Sequence, residues 1–334
     1  LIFLQRNIIM LFEKLTKKSY AKQKADRVIA PTATIGPQRK RRILEGGGAD
    51  PLTFDPLDIS STATLELWLD ASKITGMSDG DDFTTSAGNC EWSDQSGNSV
   101  AISSPGPQGN VASYQTNIIN GLPAIKFEGP SGLVTVGEQV YANIPTATFK
   151  DADYTVFVVV QPIDITSAPS GSGQHIFGVY TEDDWTETSV TQAGNCLSMG
   201  ILDSDAKFVT LGSLPGAGED RISSVSAFVN DKPRILTAAY DYSETTMWSW
   251  MDGGFSLSPG DVSKQTDWTG YTGVLGSGPF MGGIGGSRGS TSLNYDGYIA
   301  EVLVFSNLLA EKDLNRIKHY LADKYNIAVP PKTR

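Results

Sequence analysis

From Thr62 onward the chain is a succession of short apolar or alternating runs, each closed by Gly, Asn, Asp, Ser or Pro. Leu65-Glu66-Leu67-Trp68-Leu69 alternates at its ends, and Tyr154 to Val160 is β-branched and nearly all apolar, the pattern of a strand buried on both faces. Ala124 to Phe127, His175 to Tyr180, Leu197 to Leu202, Phe208 to Leu211, Arg234 to Tyr240, Met247 to Met251 and Tyr298 to Phe305 read as further strands. Helical spacing occurs at the two ends only. Near the C-terminus Leu308, Leu309, Leu314, Ile317, Leu321 and Tyr325 form an amphipathic stripe, with Ser306 the expected cap. Near the N-terminus Ile8, Ile9, Leu11, Phe12 and Leu15, interleaved with Lys14, Lys17 and Lys18, predict a short amphipathic helix. No fixed-period repeat is present, which disfavours propellers and solenoids.

Charge divides the chain where the pattern does. Residues 1–45 carry eleven Lys/Arg against three acids, a formal charge of +8, and the remaining residues carry −19 of the total −11. A basic arm on an acidic body is the expectation, and such an arm docks to an anionic surface. The run Arg39-Lys40-Arg41-Arg42, Gly46-Gly47-Gly48 and the prolines at 31, 37, 51 and 56 give this region an extended texture. The expected organisation is an arm over 1–45, a Gly/Pro linker over 46–62, one β domain over 63–328 and a tail over 329–334. The acidic body speaks against nucleic acid as its ligand. The longest apolar runs are far shorter than the roughly 18 residues that span a bilayer, and no signal-peptide pattern opens the chain.

Three ordered segments bring in a family. Leu65-Glu66-Leu67-Trp68-Leu69-Asp70-Ala71-Ser72, Trp92-Ser93-Asp94-Gln95-Ser96-Gly97-Asn98 and Asn120-Gly121-Leu122-Pro123-Ala124-Ile125-Lys126-Phe127 resemble the opening of concanavalin A-like lectin/glucanase domains of the laminin G-like type. The close resembles them too, in Gly297 to Phe305 followed by a helix ending Tyr320-Leu321-Ala322-Asp323-Lys324-Tyr325-Asn326-Ile327. The resemblance implies an all-β fold: a two-sheet antiparallel jelly-roll sandwich with one C-terminal helix, here with an extended basic N-terminal arm. It implies no single function, since such domains bind glycans or proteins, hydrolyse polysaccharides, or serve as structural modules, including in bacteriophage particles. In the Trp92-Ser93-Asp94 motif the indole is expected in the core, with Asp94 capping the turn that follows.

Catalytic glucanases of this fold carry Glu-x-Asp-x-x-Glu on one strand, and Glu182, Asp184 and Glu187 reproduce that string. The intervening Asp183, Trp185 and Thr186 are not the apolar anchors a strand needs, so the segment reads as a solvated loop. His175 and His319 are the only histidines, too few for a zinc site or a nucleophile–base pair. Cys90 and Cys196 share the tetrapeptide Ala-Gly-Asn-Cys, and spacing leaves a disulfide and two free thiols both open. No organic cofactor is implied. Calcium is the one candidate ion, at Asp79, Asp81 and Asp82. Trp185, Trp268 and Tyr271, flanked by Asp, Thr and Gly, are the candidate sugar-stacking aromatics. The glycines between Gly273 and Gly289 lack the Lys-Ser/Thr of a phosphate loop and read as hairpin glycines.

The expectation is therefore a non-enzymatic structural or attachment protein of a virus particle, displaying a lectin-like domain at the capsid surface or tail. Its arm would dock to other virion proteins through Ile8, Ile9, Leu11, Phe12 and Leu15 and through Arg39, Lys40, Arg41 and Arg42. Homo-oligomerisation and a host-surface glycan ligand are expected with it. The alternatives are a cellular or secreted carbohydrate-binding module and, behind it, a glycoside hydrolase.

Overall fold

The computed structural model describes residues 54–59, 62–82, 92–103, 112–128, 140–144, 148–149, 152–165, 174–180, 195–202, 207–212, 220–243, 246–252, 261–265, 280–284 and 295–330. The chain divides between Gly48 and Ala49, and all of these residues belong to the second unit. Among them fifteen strands and one α-helix form an antiparallel two-sheet sandwich.

The first sheet holds the strands with the most apolar sequences. It runs β13 (Asp261–Gln265), β12 (Thr246–Met251), β11 (Arg234–Asp241), β6 (Tyr154–Pro162), β15 (Gly297–Ser306), β4 (Leu122–Phe127), β3 (Ser113–Ile119), with β1 (Leu65–Asp70) also paired to β15. The second runs β10 (Asp220–Ala227), β9 (Lys207–Gly212), β8 (Asn195–Leu202), β7 (Gln174–Tyr180), β14 (Phe280–Ile284), β5 (Val140–Ile144), β2 (Ile102–Ser103). Val156, Val158, Val160, Leu236, Val302 and Val304 face the second sheet and meet Val140, Phe177, Leu197, Met199 and Ile284 in the main core. The alternate residues Phe157, Val159, Ile235, Leu303 and Phe305 face the other way and are covered by helix α1 (Glu311–Tyr325) through Leu314, Ile317, Leu321 and Tyr325. That second layer explains why the 154–160 run has no polar alternation: both of its faces are buried.

The helix differs from expectation at its start. Ala310 occupies the cap position without a side-chain bond, and the acids Glu311 and Asp313 in the first turn supply the favourable charge instead. Ser306 closes β15 against the chain before β1, accepting from the Thr64 amide at 3.2 Å. Asn326 ends the helix in the left-handed conformation at φ 53°.

Six strands lie where no strand is read from sequence: β2, β3, β5, β10, β13 and β14. Four of them, β2, β3, β10 and β13, end the two sheets, where one side of a strand needs no apolar partner. β14 is central and falls inside the glycine run, with Gly283 paired to Gly178 on one side and Tyr141 on the other.

The end of the stretch read as linker is part of the body. Asp55 accepts from the Leu57 amide at 2.9 Å and caps a 3-10 turn at Pro56–Asp58, and Phe54 is buried. The Arg316 guanidinium lies 4.5 Å over the Phe54 ring, Tyr320 meets its edge at 5.9 Å, and Arg316 Nη1 donates to the Asp58 carbonyl at 3.3 Å. The body's chain thus begins seated on α1.

Candidate functional site

Most residues singled out from the sequence lie outside the described residues. These are Glu182, Asp184 and Glu187, the aromatics Trp185, Trp268 and Tyr271, and the arm residues Ile8, Ile9, Leu11, Phe12, Leu15, Arg39, Lys40, Arg41 and Arg42, together with Cys90.

Asp79, Asp81 and Asp82 are described, and they serve a sheet edge. The Asp79 Oδ1 atom accepts from the Thr116 amide at 2.7 Å and from its hydroxyl at 2.9 Å, bonds that hold its carboxyl below the usual range. Gly80 N–H donates to the Tyr114 carbonyl and Tyr114 N–H to the Asp81 carbonyl, each at 2.8 Å, while Asp82 bridges to Ser113. The acidic turn thereby covers the outer side of β3, satisfying backbone groups that an edge strand would otherwise offer to another chain. Asp81 turns its own Oδ2 back to the Ser78 amide at 2.6 Å. Among the described residues no three His, Cys, Asp or Glu side chains gather as a metal site.

Asp94 is a structural hub. Its Oδ1 accepts from Trp68 N–H at 3.0 Å and Ser96 N–H at 2.9 Å, and its Oδ2 from Ser96 Oγ at 2.7 Å and Val100 N–H at 3.1 Å. The neighbouring Trp92 is fully buried in the main core. One short carboxylate therefore caps the 96–98 turn and pins it to β1. Asp94→Ala strands those donors and is expected to cost about 2–3 kcal/mol, read as a drop in the urea midpoint at unchanged slope. An unchanged midpoint would show that water replaces the carboxylate.

The densest chemistry among the described residues is a cluster between β1, β15 and α1. Glu301 Oε1 accepts from Trp68 Nε1 at 2.8 Å and the Tyr320 hydroxyl at 3.1 Å. Its Oε2 accepts from Lys324 Nζ at 2.7 Å and the Tyr325 hydroxyl at 2.9 Å. Lys324 Nζ also donates to Asp70 Oδ2 at 2.7 Å, and Asp70 and Glu301 are register partners across β1 and β15. Both carboxylates are 1% exposed. Burial pushes the Glu301 carboxyl up, with the ammonium of Lys324 opposing. The hydroxyls of Tyr320 and Tyr325 are raised by the same burial and by the adjacent carboxylates.

Sequence reading passed over this cluster although its three charged members stand in segments it quoted. Asp70 follows the apolar Leu67-Trp68-Leu69 within the Leu65–Ser72 segment, Glu301 interrupts the apolar Tyr298–Phe305 run, and Lys324 lies one residue before the last apolar position of the helix. A charge inside an otherwise apolar strand is the signal that was available.

Two further polar groups sit deep. Arg234 pairs with Asp252, whose Oδ1 also accepts from Ile235 N–H at 2.8 Å; burial pushes the Asp252 carboxyl up. His175 on β7 is wholly buried, and desolvation pushes its imidazole down to about 3.

No family model matches the chain, and no curated protein matches it. Solved structures with a similar course exist at low identity. Domain 4 of AbnA, an extracellular arabinanase of Geobacillus stearothermophilus solved with arabinotriose, is 11% identical, with 77% of this chain and 98% of that one covered and a TM-score of 0.48. The binding domain of botulinum neurotoxin serotype D is 12% identical over 77% of this chain and 51% of its own, with a TM-score of 0.47. The CBM40 of the Ruminococcus gnavus IT-sialidase, bound to α2,3-sialyllactose, is 11% identical over 50% of this chain and 82% of its own, with a TM-score of 0.37.

Proposed function

We propose that the protein is a non-enzymatic attachment protein of a virus particle, fixed by its basic N-terminal arm and displaying a lectin-like sandwich toward a glycan-bearing surface. The observation that carries this reading is the division of charge along the chain, +8 over residues 1–45 against −19 over the remainder. Among the described residues, Phe54 lies on the helix-covered side of the first sheet, and the second sheet lies across the core from it. The +8 charge of residues 1–45 suits an anionic docking surface, and the −19 of the body speaks against nucleic acid as the ligand of the main domain.

The test compares the full chain with a chain starting at Ala49, by size-exclusion chromatography with light scattering and on a glycan array. The expected result is an oligomer or particle-bound state that needs residues 1–48, and saturable glycan binding by both chains that falls when Trp185 or Trp268 is replaced by alanine. A monomeric full chain that binds a sugar would move the reading to a free carbohydrate-binding module. Turnover of a polysaccharide, abolished by Glu182→Gln or Glu187→Gln, would overturn it in favour of a hydrolase.

A further inference from the structure

We propose that Lys324 and Asp70 join in an intramolecular amide bond, with Glu301 receiving the proton, so that the C-terminal helix is bonded covalently to the first strand. The parts for that reaction are in place. Lys324 Nζ stands 2.7 Å from Asp70 Oδ2 and 2.7 Å from Glu301 Oε2. The other Asp70 oxygen, Oδ1, accepts from the Ser72 amide at 2.9 Å and the Ser72 hydroxyl at 2.7 Å. Two donors on one oxygen hold the carboxyl group in place and stabilise negative charge where it develops as a nucleophile adds. Glu301 is itself fixed by Trp68, Tyr320 and Tyr325, leaving Oε2 aimed at the amine.

The step balances without a co-reactant. Lys324 gives a proton to Glu301 Oε2 and becomes a neutral amine. Its Nζ attacks Cγ of Asp70, the Nζ–Cγ bond forms, and the Cγ–Oδ2 bond breaks. The proton held by Glu301 and the second proton lost from nitrogen leave with Oδ2 as water. Ammonium and carboxylate become amide and water, and nothing is oxidised or reduced. In bulk water the ions win; here both carboxylates are 1% exposed, so separated charge is costly and the neutral amide gains. Burial also raises the Glu301 carboxyl, which makes it a more effective proton acceptor near neutrality. Fixed placement of amine and carboxyl supplies the effective concentration. The Lys324 side chain is 16% exposed, an opening through which the water can leave.

The two residues are 254 positions apart, so the bond would tie the start of the sandwich to its end. That is a lock suited to a protein exposed to proteases or to pulling, and it holds whatever the ligand of the domain.

Intact mass spectrometry of the reduced, denatured full chain tests it. The expected mass is lighter than the sequence by one water, and a digest should contain a branched peptide joining the segments that carry Asp70 and Lys324. The branched peptide separates this bond from a succinimide at Asp79-Gly80, which also loses water. Glu301→Gln should give the unshifted mass while keeping the wild-type circular dichroism. Asp70→Asn should lose ammonia instead of water, because the leaving group has changed. An unshifted mass in the folded wild-type chain after prolonged incubation, or a water loss without the branched peptide, overturns the proposal even if no variant folds.

Discussion

Replacing Lys324 by methionine is expected to destabilise the protein by about 3–5 kcal/mol, the usual cost of leaving a buried charge without its partner. Asp70 and Glu301 face each other across β1 and β15, both 1% exposed, and Lys324 Nζ stands 2.7 Å from each carboxylate. Methionine fills nearly the same volume, so packing against Tyr320 and Tyr325 survives and the loss is electrostatic. That figure is for the ion-paired state; where the amide has formed, the variant also loses a cross-link over 254 positions, which adds roughly 5 kcal/mol in the chain-entropy model. Urea unfolding gives the number. The triple variant Asp70→Asn, Glu301→Gln, Lys324→Met should recover most of the electrostatic part, because it removes the stranded charges along with the cation. A single-variant loss below about 1 kcal/mol would mean that solvent reaches the cluster and does the neutralising.

How much of this was legible in the sequence follows from where each residue's partners come from. Strands with two apolar faces or clean alternation, such as β6, β11 and β15, announce themselves because their burial is written into every position. β3, Ser-Tyr-Gln-Thr-Asn-Ile-Ile, does not: its outer side is closed by hydrogen bonds to Asp79, Gly80 and Asp81, and backbone pairing leaves no mark on side-chain periodicity. The same acids looked like calcium ligands because a cluster of carboxylates on a turn has one appearance whether it serves a cation or an amide. Asp94 was readable as a turn cap, since its Ser96 contacts are two residues away, but its bond to Trp68 spans 26 positions and belongs to the fold alone. The Asp70–Glu301–Lys324 cluster is the extreme case. Its members are up to 254 residues apart, and only the antiparallel pairing of β1 with β15 and the docking of α1 bring them together. The first and last of the segments that resemble lectin-like domains meet there, so what those two encode in this fold is the closure of the sandwich.

Acidification is expected to weaken the fold through His175. Burial holds its imidazole at about 3 against 6.5 in the unfolded chain, so the native state keeps it neutral while the unfolded state takes up a proton. A depressed folded value means that the stability is fully present above about pH 6.5 and is lost as pH falls from there toward 3. Each unit in that window removes about 1.4 kcal/mol, so a drop of two units costs nearly 3 kcal/mol, and the full window about 5. Glu301 and Asp252 act in the opposite sense: their carboxyls are pushed up by burial, so the folded form binds protons ahead of the unfolded one and gains stability as pH falls through the carboxylate range. The carboxyl contributions are common to the wild type and to a variant that lacks only the imidazole, so the difference between the two chains isolates the histidine. Urea midpoints of the wild type and of His175→Gln, followed from neutral pH downward, separate them. The wild type should lose stability relative to the variant as pH falls from about 6.5 to 5. Parallel curves would place the proton uptake elsewhere and leave His175 a core residue that pays no penalty in acid.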